Sequence, residues 1–166
     1  MNEQENDEMT LPDRYKIKSI IGIDPGANGS ISIYDVDTNT LVSHKMPETP
    51  KDVYDLLKTV QPWNSICYLE KVHGRPGGGS SGMFNYGKGY GYLEMALLVC
   101  QISTVTIMPQ KWMKELGVGT RGDMNPTDWK NKLKAKAQQL YPQNKLTLAT
   151  CDAALIVTYG IRQLNN

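Results

Sequence analysis

Apolar runs along the first half of the chain predict a sheet. IKSIIGID is almost wholly apolar and ends in Asp24-Pro25-Gly26, which is typical of a buried strand that enters a turn. GSISIYDVD then alternates apolar and polar residues, and LVSHKM follows the turn Asp37-Thr38-Asn39. These three segments predict an antiparallel meander. SICYLEKV and TVTIM are further short apolar runs that predict a fourth and a fifth strand.

Helical spacing of apolar residues predicts helices between and after the later strands. VYDLLKTV, QKWMKELG and a lysine-rich segment near residue 130 each have this spacing, as does a last helix from about residue 149 to 164. The prolines that begin or end the first three are Pro50, Pro62, Pro109, Pro126 and Pro142. In MFNYGKGYGYLEMALLVCQI only the second half is predicted to be helical, because Gly87 and Gly89 disfavour a helix.

The order of these elements predicts the fold class. Three meander strands followed by alternating helix and strand indicate an α/β protein with a five-stranded mixed sheet. Its first three strands would be antiparallel and the last two parallel, with helices on both faces. The 166 residues suit a single domain, assigned to residues 15–166. Residues 1–14 are polar and acidic without periodicity, so we expect a disordered tail there.

Charge and cysteine usage limit the function classes. Lys plus Arg number 18 against 17 for Asp plus Glu, yet lysines are concentrated between residues 111 and 145, which indicates a local basic face. Cys67, Cys100 and Cys151 have no metal-site spacing and an odd count, so we interpret them as buried hydrophobes of a reducing compartment. No apolar run approaches the ~18 residues of a membrane span. We therefore expect a soluble, intracellular protein that does not contact a membrane.

Two carboxylates interrupt apolar strands at their ends. Asp24 ends the first strand and Glu70 ends the fourth, and a charge there is costly unless it is paired, hydrogen-bonded or bound to metal. If the two strands are neighbours, their carboxylates converge, and Asp152 in the apolar last helix supplies a third. Each residue also has a purely structural interpretation, since Asp24 and Glu70 can cap turns and Asp152 can be a helix N-cap.

Convergent carboxylates without a nearby His or Cys cluster favour hard cations. Mg²⁺ or Mn²⁺ binds such oxygen ligands and keeps waters that contact phosphates. Two such ions about 4 Å apart would support an in-line cleavage of a phosphodiester, one activating water and the other stabilising the leaving oxygen. The carboxylates therefore indicate a site for Mg²⁺ or Mn²⁺ that suits the cleavage of a phosphodiester.

Three motifs in a fixed order resemble the RuvC-type Holliday-junction resolvases of the RNase H-like (retroviral integrase) superfamily. They are IGIDPGANGSISIY, CYLEKV and CDAALIVTYG. GRPGGGSSGMFNYGKGYGYLEMAL and VTIMPQKWMKELG resemble its phage and organellar branch. The resemblance implies a metal-dependent nuclease, a homodimer that nicks two opposing strands of a four-way DNA junction, with Asp24, Glu70 and Asp152 as its catalytic metal ligands. The family also has a fourth carboxylate near the third, but residues 147–151 are not acidic. The missing fourth carboxylate has three interpretations: three acids suffice for metal binding, a loop acid such as Asp123 substitutes for it, or the chain is inactive.

A glycine-rich loop follows Glu70 and lets the backbone approach a sugar-phosphate chain closely. By resemblance this loop and the helix after it enter the junction, where Met83, Phe84 and Tyr86 would stack on bases. Phe84 has the alternative of being a core residue. The predicted DNA-binding residues are Arg75, Gly77, Gly78, Ser80, Ser81, Met83, Phe84, Lys88, Gln110, Lys111 and Lys114.

Smaller roles and rival functions remain open. His73 is a candidate proton shuttle, although a lone loop histidine is usually surface. Of the lysines at 130, 132, 134 and 136, at most half share one helix face. By resemblance the tyrosines at 86, 90 and 92 would lie at a dimer interface. The rival functions are a catalytically silent junction-binding or architectural protein and an RNase H-like nuclease that cuts other branched or hybrid substrates.

Overall fold

The computed structural model describes residues 16–71 and 79–165. Within them the five predicted strands form one sheet: β1 (Ser19–Asp24), β2 (Ser30–Asp35), β3 (Thr40–Lys45), β4 (Ser65–Glu70) and β5 (Ser103–Ile107). The spatial order is β3-β2-β1-β4-β5. β1 pairs antiparallel with β2, and β2 with β3, whereas β4 runs parallel to both β1 and β5. The predicted mixed sheet is confirmed.

Five helices connect or follow the strands: α1 (Pro50–Leu57), α2 (Ser80–Val99), α3 (Pro109–Glu115), α4 (Pro126–Leu140) and α5 (Cys151–Leu164). Proline occupies the first turn of α1, α3 and α4. Its lack of an N–H costs nothing there, because N–H groups of the first turn have no acceptor within the helix. Thr49 caps α1 by accepting from the Asp52 amide, and Asn125 caps α4 by accepting from the Asp128 amide.

The prediction that only the second half of residues 83–102 is helical is wrong. α2 begins at Ser80 and continues for 20 residues through Gly87 and Gly89. Tertiary packing overrides the low helix propensity of glycine: Leu93 and Leu97 are buried against the sheet, and Tyr90 packs on the same core cluster.

The helices cover both faces of the sheet, as predicted. On one face Ile21 and Ile23 of β1 and Cys67 of β4 pack with α1 and α2. On the other face Ile20 and Tyr68 pack with residues of α3, α4 and α5. This division follows from the alternation of side chains along a strand. β5 and β3 are the two edge strands, and β5 is largely exposed.

α5 lies directly on the centre of the sheet, at a distance that only glycine permits. A Cβ atom at Gly22 of β1 would lie 2.3 Å from the Ala153 carbonyl oxygen, and one at Gly160 would lie 2.6 Å from the Tyr68 ring. All residues from Cys151 to Gly160 are buried. The close contact fixes the start of α5 beside the carboxyl end of β1.

Cys67, Cys100 and Cys151 are free and buried, which confirms their interpretation as buried residues. No helix in the described part of the chain has the length and apolarity required to cross a bilayer. The tail predicted for residues 1–14, the loop residues Arg75, Gly77 and Gly78, and the candidate shuttle His73 lie outside the described residues.

Candidate active site

Asp24 and Glu70 lie side by side at one edge of the sheet. They end the neighbouring parallel strands β1 and β4, in which Ile23 is the register partner of Leu69. Ile23 and Leu69 point toward α1 and α2, so by alternation the two carboxylates point to the opposite face, which α5 covers.

Asp152 reaches the same place from α5. It lies in the first turn of the helix and is 8% exposed, and its neighbour Ala153 contacts the β1 backbone at Gly22. The N-cap position of α5 is Thr150, so the alternative that Asp152 is an N-cap is wrong. The structure brings together the three acids that the sequence singled out.

The acids perturb one another strongly. Burial, followed by the negative charges of Asp152 and Glu70, raises the pKa of Asp24 to about 8. Burial also raises the pKa of Glu70, and the charge of Asp152 adds to this shift. The hydrogen bond between Asp24 and Glu70 raises the pKa of Asp24 and lowers that of Glu70. Burial and the surrounding negative charges therefore favour a proton on the Asp24–Glu70 pair, whose two carboxyl groups are hydrogen-bonded to each other.

Trp112 orients Glu70. Its indole N–H donates a 2.9 Å hydrogen bond to Glu70 Oε1, and the Trp112 side chain is fully buried in α3. This bond opposes the effect of burial on the pKa of Glu70. The sequence indicated only that Trp112 is packed. The available signal was chemical, since a buried indole N–H usually has an acceptor.

Lys130 is a residue of the candidate site that the sequence did not distinguish. Its ammonium group lies 2.5 Å from Asp152 Oδ2. Burial alone would lower the pKa of Lys130, but the attraction of Asp152, their hydrogen bond and the charge of Asp24 together raise it. The sequence did contain a signal for this position of Lys130. Lys130 directly flanks the buried apolar stripe of α4, which consists of Trp129, Leu133 and Ala137.

The donor atoms fit a hard cation, although they are not arranged around one. Within residues 16–71 and 79–165 no three His, Cys, Asp or Glu side chains stand in a metal-holding group. Asp152 directs Oδ2 to Lys130, and its Oδ1 accepts from the Cys151 thiol at 3.1 Å. Ser30, the register partner of Asp24 on β2, has a buried hydroxyl without a hydrogen-bond partner among the described residues. Three carboxylates and a spare hydroxyl form an all-oxygen donor set, which suits Mg²⁺ or Mn²⁺.

The predicted DNA-binding residues of α2 lie on its surface. Ser80, Ser81 and Lys88 are exposed, and Met83 is half-buried. Phe84 is 69% exposed, so the alternative that it is a core residue is wrong. The Lys88 ammonium lies 5.9 Å from the Phe84 ring centre and 6.0 Å from that of Tyr92, which aligns three side chains along one helix face.

Gln110, Lys111 and Lys114 are exposed on α3, the helix that carries Trp112. The Lys111 ammonium lies 5.9 Å from the centre of the Tyr159 ring of α5. Asp123, the loop acid considered as a fourth ligand, is exposed in the segment before α4. α3 therefore presents basic and polar side chains to solvent on the helix whose Trp112 bonds to Glu70.

No protein-family model and no curated protein matches the sequence. Among solved structures, the described fold is similar to RuvC of Thermus thermophilus, with a TM-score of 0.57 and 13% identity over 89% of this chain and 96% of that one. The same protein in complex with a Holliday-junction substrate gives a TM-score of 0.59 at the same identity and coverage.

The yeast mitochondrial Holliday-junction resolvase Ydc2 gives 14% identity over 89% of this chain and 79% of that one, with a TM-score of 0.45. On the strength of the two Thermus thermophilus structures and the sheet order, the chain has the RNase H-like fold of the RuvC-type resolvases.

Proposed function

We propose that this chain is a divalent-metal-dependent endonuclease that resolves four-way DNA junctions by paired, symmetric nicks as a homodimer. One observation carries the proposal: Asp24, Glu70 and Asp152, from β1, β4 and α5, meet on one face at the sheet edge of a RuvC-like fold. The Thermus thermophilus protein with this fold binds a Holliday junction, which supports branched DNA as the substrate here.

The three carboxylates would hold Mg²⁺ or Mn²⁺, with two ions as the expected number. When bound, the metal supplies Lewis acidity and lowers the pKa of its water. Asp24 would release its proton to become a ligand, because a divalent charge outweighs the burial and the repulsion that together raise its pKa. Trp112 keeps the Glu70 carboxylate oriented, which is the role that hydrogen-bonded neighbours have for ligands of metal sites.

α2 supplies support for the homodimer. Its carboxyl-terminal half exposes Tyr92, Met95, Leu98 and Val99, at 39%, 58%, 70% and 57% of their full surface. These residues follow helical spacing and form one apolar stripe. A stripe of this kind on a helix surface favours self-association about a two-fold axis, which would set two active sites against two symmetric strands.

The substrate is tested with labelled DNA. The protein is incubated with a four-way junction, a flap, an RNA–DNA hybrid and a plain duplex, in Mg²⁺, Mn²⁺ or EDTA. We expect paired nicks in the junction alone and only with metal. Preferential cutting of the flap or hybrid would instead identify an RNase H-like nuclease with another substrate.

Asp24→Asn tests the carboxylate site itself. We expect a loss of junction cleavage of about 10³-fold or more with unchanged junction binding, because the variant loses a charged ligand but no packing. The control is Asp37→Asn, a change of the same chemistry in the exposed turn after β2. Wild-type cleavage by the Asp24 variant would remove this residue from the mechanism.

A catalytically silent junction-binding protein is the second candidate function. The observation in its favour is the segment 147–151, Thr-Leu-Ala-Thr-Cys, which supplies no acid next to Asp152. Binding of the four-way junction without nicks in either metal would support this candidate. Introduction of an acid by Ala149→Asp would then be expected to produce cleavage.

A further inference from the structure

Lys130 places a permanent positive charge inside the carboxylate site. It is held there by Asp152, at 2.5 Å, and its charge lowers the pKa of both Asp24 and Glu70. The same side chain is 39% exposed. Lys130 thus contacts Asp152 through its ammonium group, while the rest of its side chain is partly exposed to solvent.

This contact competes with any cation that uses Asp152. The Asp152 side chain is 11% exposed, and both of its oxygens already have partners, Lys130 at Oδ2 and the Cys151 thiol at Oδ1. A divalent ion at the three acids would repel the ammonium group, and the four-carbon stem of lysine allows it to turn toward solvent.

We propose that Lys130 is the internal counter-cation of the metal-free site, and that a divalent ion displaces its ammonium group from Asp152 on binding. This inference rests on the proposed metal-dependent function, but it concerns the metal-free state and the cost of leaving it. Lys130 is in this respect a positioning residue: it stabilises the acids when they are empty of metal and lowers their affinity for it.

Lys130→Met separates the two effects, because methionine keeps much of the stem and removes the charge. Mn²⁺ binding is measured by titration calorimetry on the full-length protein without DNA. We expect Lys130→Met to bind Mn²⁺ about tenfold more tightly than wild type and to melt at a lower temperature in EDTA. Lys132→Met is the control, because Lys132 lies exposed over Trp129 on the same helix, and its affinity should stay within about twofold.

A second measurement follows the wild-type chain and uses a charge-conserving variant only to assign one resonance. Lysines are reductively ¹³C-methylated, which preserves their charge, and the Lys130 resonance is identified by its absence in Lys130→Arg. Addition of Mg²⁺ should move this resonance toward those of the exposed lysines. A resonance that stays in place while Mg²⁺ binds would overturn the inference.

The outcomes distinguish the inference from the function on which it rests. Equal or weaker Mn²⁺ binding by Lys130→Met than by wild type contradicts the displacement and leaves the metal centre intact. Absence of Mn²⁺ and Mg²⁺ binding in both proteins removes the metal centre and the inference together. Tighter binding in Lys130→Met, with Lys132→Met unchanged, supports both.

Discussion

α5 and α2 lie on opposite faces of one sheet and differ in how far they are covered. α5 has 14 residues and is buried without interruption from Cys151 to Gly160. α2 is longer, with 20 residues, yet only Leu93, Ala96 and Leu97 are buried. The shorter helix is a core element, whereas the longer one has most of its surface available.

The difference separates two tasks. A carboxylate that must meet two others has to be fixed in position, and the tight packing of α5 on Gly22 fixes Asp152. In the proposed function α2 meets DNA and a second subunit, and such a surface has to stay open; α2 exposes Phe84 and Lys88 in one half and Met95 and Leu98 in the other. Substitutions on the two helices should therefore affect different properties of the protein.

Gly22→Ala should have the largest effect, on stability. The added Cβ would lie 2.3 Å from the Ala153 carbonyl oxygen and 2.8 Å from the Val157 amide nitrogen, and neither backbone atom can move without shifting α5. We expect a loss of about 3 kcal/mol in the free energy of unfolding, at the upper end for overpacking. Urea denaturation measures it. A loss below about 0.5 kcal/mol would mean that α5 is not packed as tightly as described.

Leu98→Glu should change the oligomeric state and leave the fold intact. Leu98 is 70% exposed, so a charge there costs little in the monomer but would be buried in the proposed dimer. We expect the dimer dissociation constant to rise at least about 100-fold, measured by analytical ultracentrifugation. Val42→Glu, an equivalent change at a 52% exposed site on β3, is the control. An unchanged dimer would exclude this stripe as the interface.

The contrast between α5 and α2 also bears on which features the sequence could predict. The strands and the acids of β1 and β4 were accessible, because apolar runs and interrupting charges are local patterns. The extent of α2 was not, because its glycines disfavour a helix locally and the packing of Leu93 and Leu97 against the sheet is a tertiary effect.

The position of Lys130 illustrates a second limit. A lysine-rich helix predicts a charged face, and only the buried stripe of Trp129, Leu133 and Ala137 decides which lysine points toward Asp152. The hydrogen bond from Trp112 to Glu70 joins residues 42 positions apart in the sequence. Such a pairing depends on the placement of α3 beside β4, which a local pattern does not contain.

The dependence of stability on pH should reveal the burial and the mutual repulsion of the acids on the α5 face. The pKa of Asp24 is raised from 3.8 to about 8 in the folded protein, so the folded state holds a proton that the unfolded state has lost. This group's contribution to stability is complete below about pH 4 and disappears as the pH rises toward 8. In EDTA the melting temperature should fall between pH 5 and pH 8.

Asp24→Asn should reduce this slope, because asparagine does not titrate. Asp35 and Asp55 have lowered pKa values, so their contribution to stability is lost only below this pH range and does not confound the comparison. We expect a slope that differs between wild type and variant by about 2 °C or more over the range. Parallel curves would show that Asp24 is not protonated in the folded protein.

Gly89→Ala should have the smallest effect, and one of opposite sign to the same substitution in β1. A Cβ at Gly89 meets nothing within 4 Å, and alanine is favoured over glycine in a helix interior by about 1 kcal/mol. The melting temperature should therefore rise by roughly 2–4 °C, as expected per kcal/mol for a domain of this size. A stabilised Gly89→Ala beside a destabilised Gly22→Ala would show that Gly89 is not required for packing, whereas Gly22 is required for the close approach of α5 to β1. A loss of stability at position 89 would instead mean that α2 requires its glycines as α5 requires Gly22.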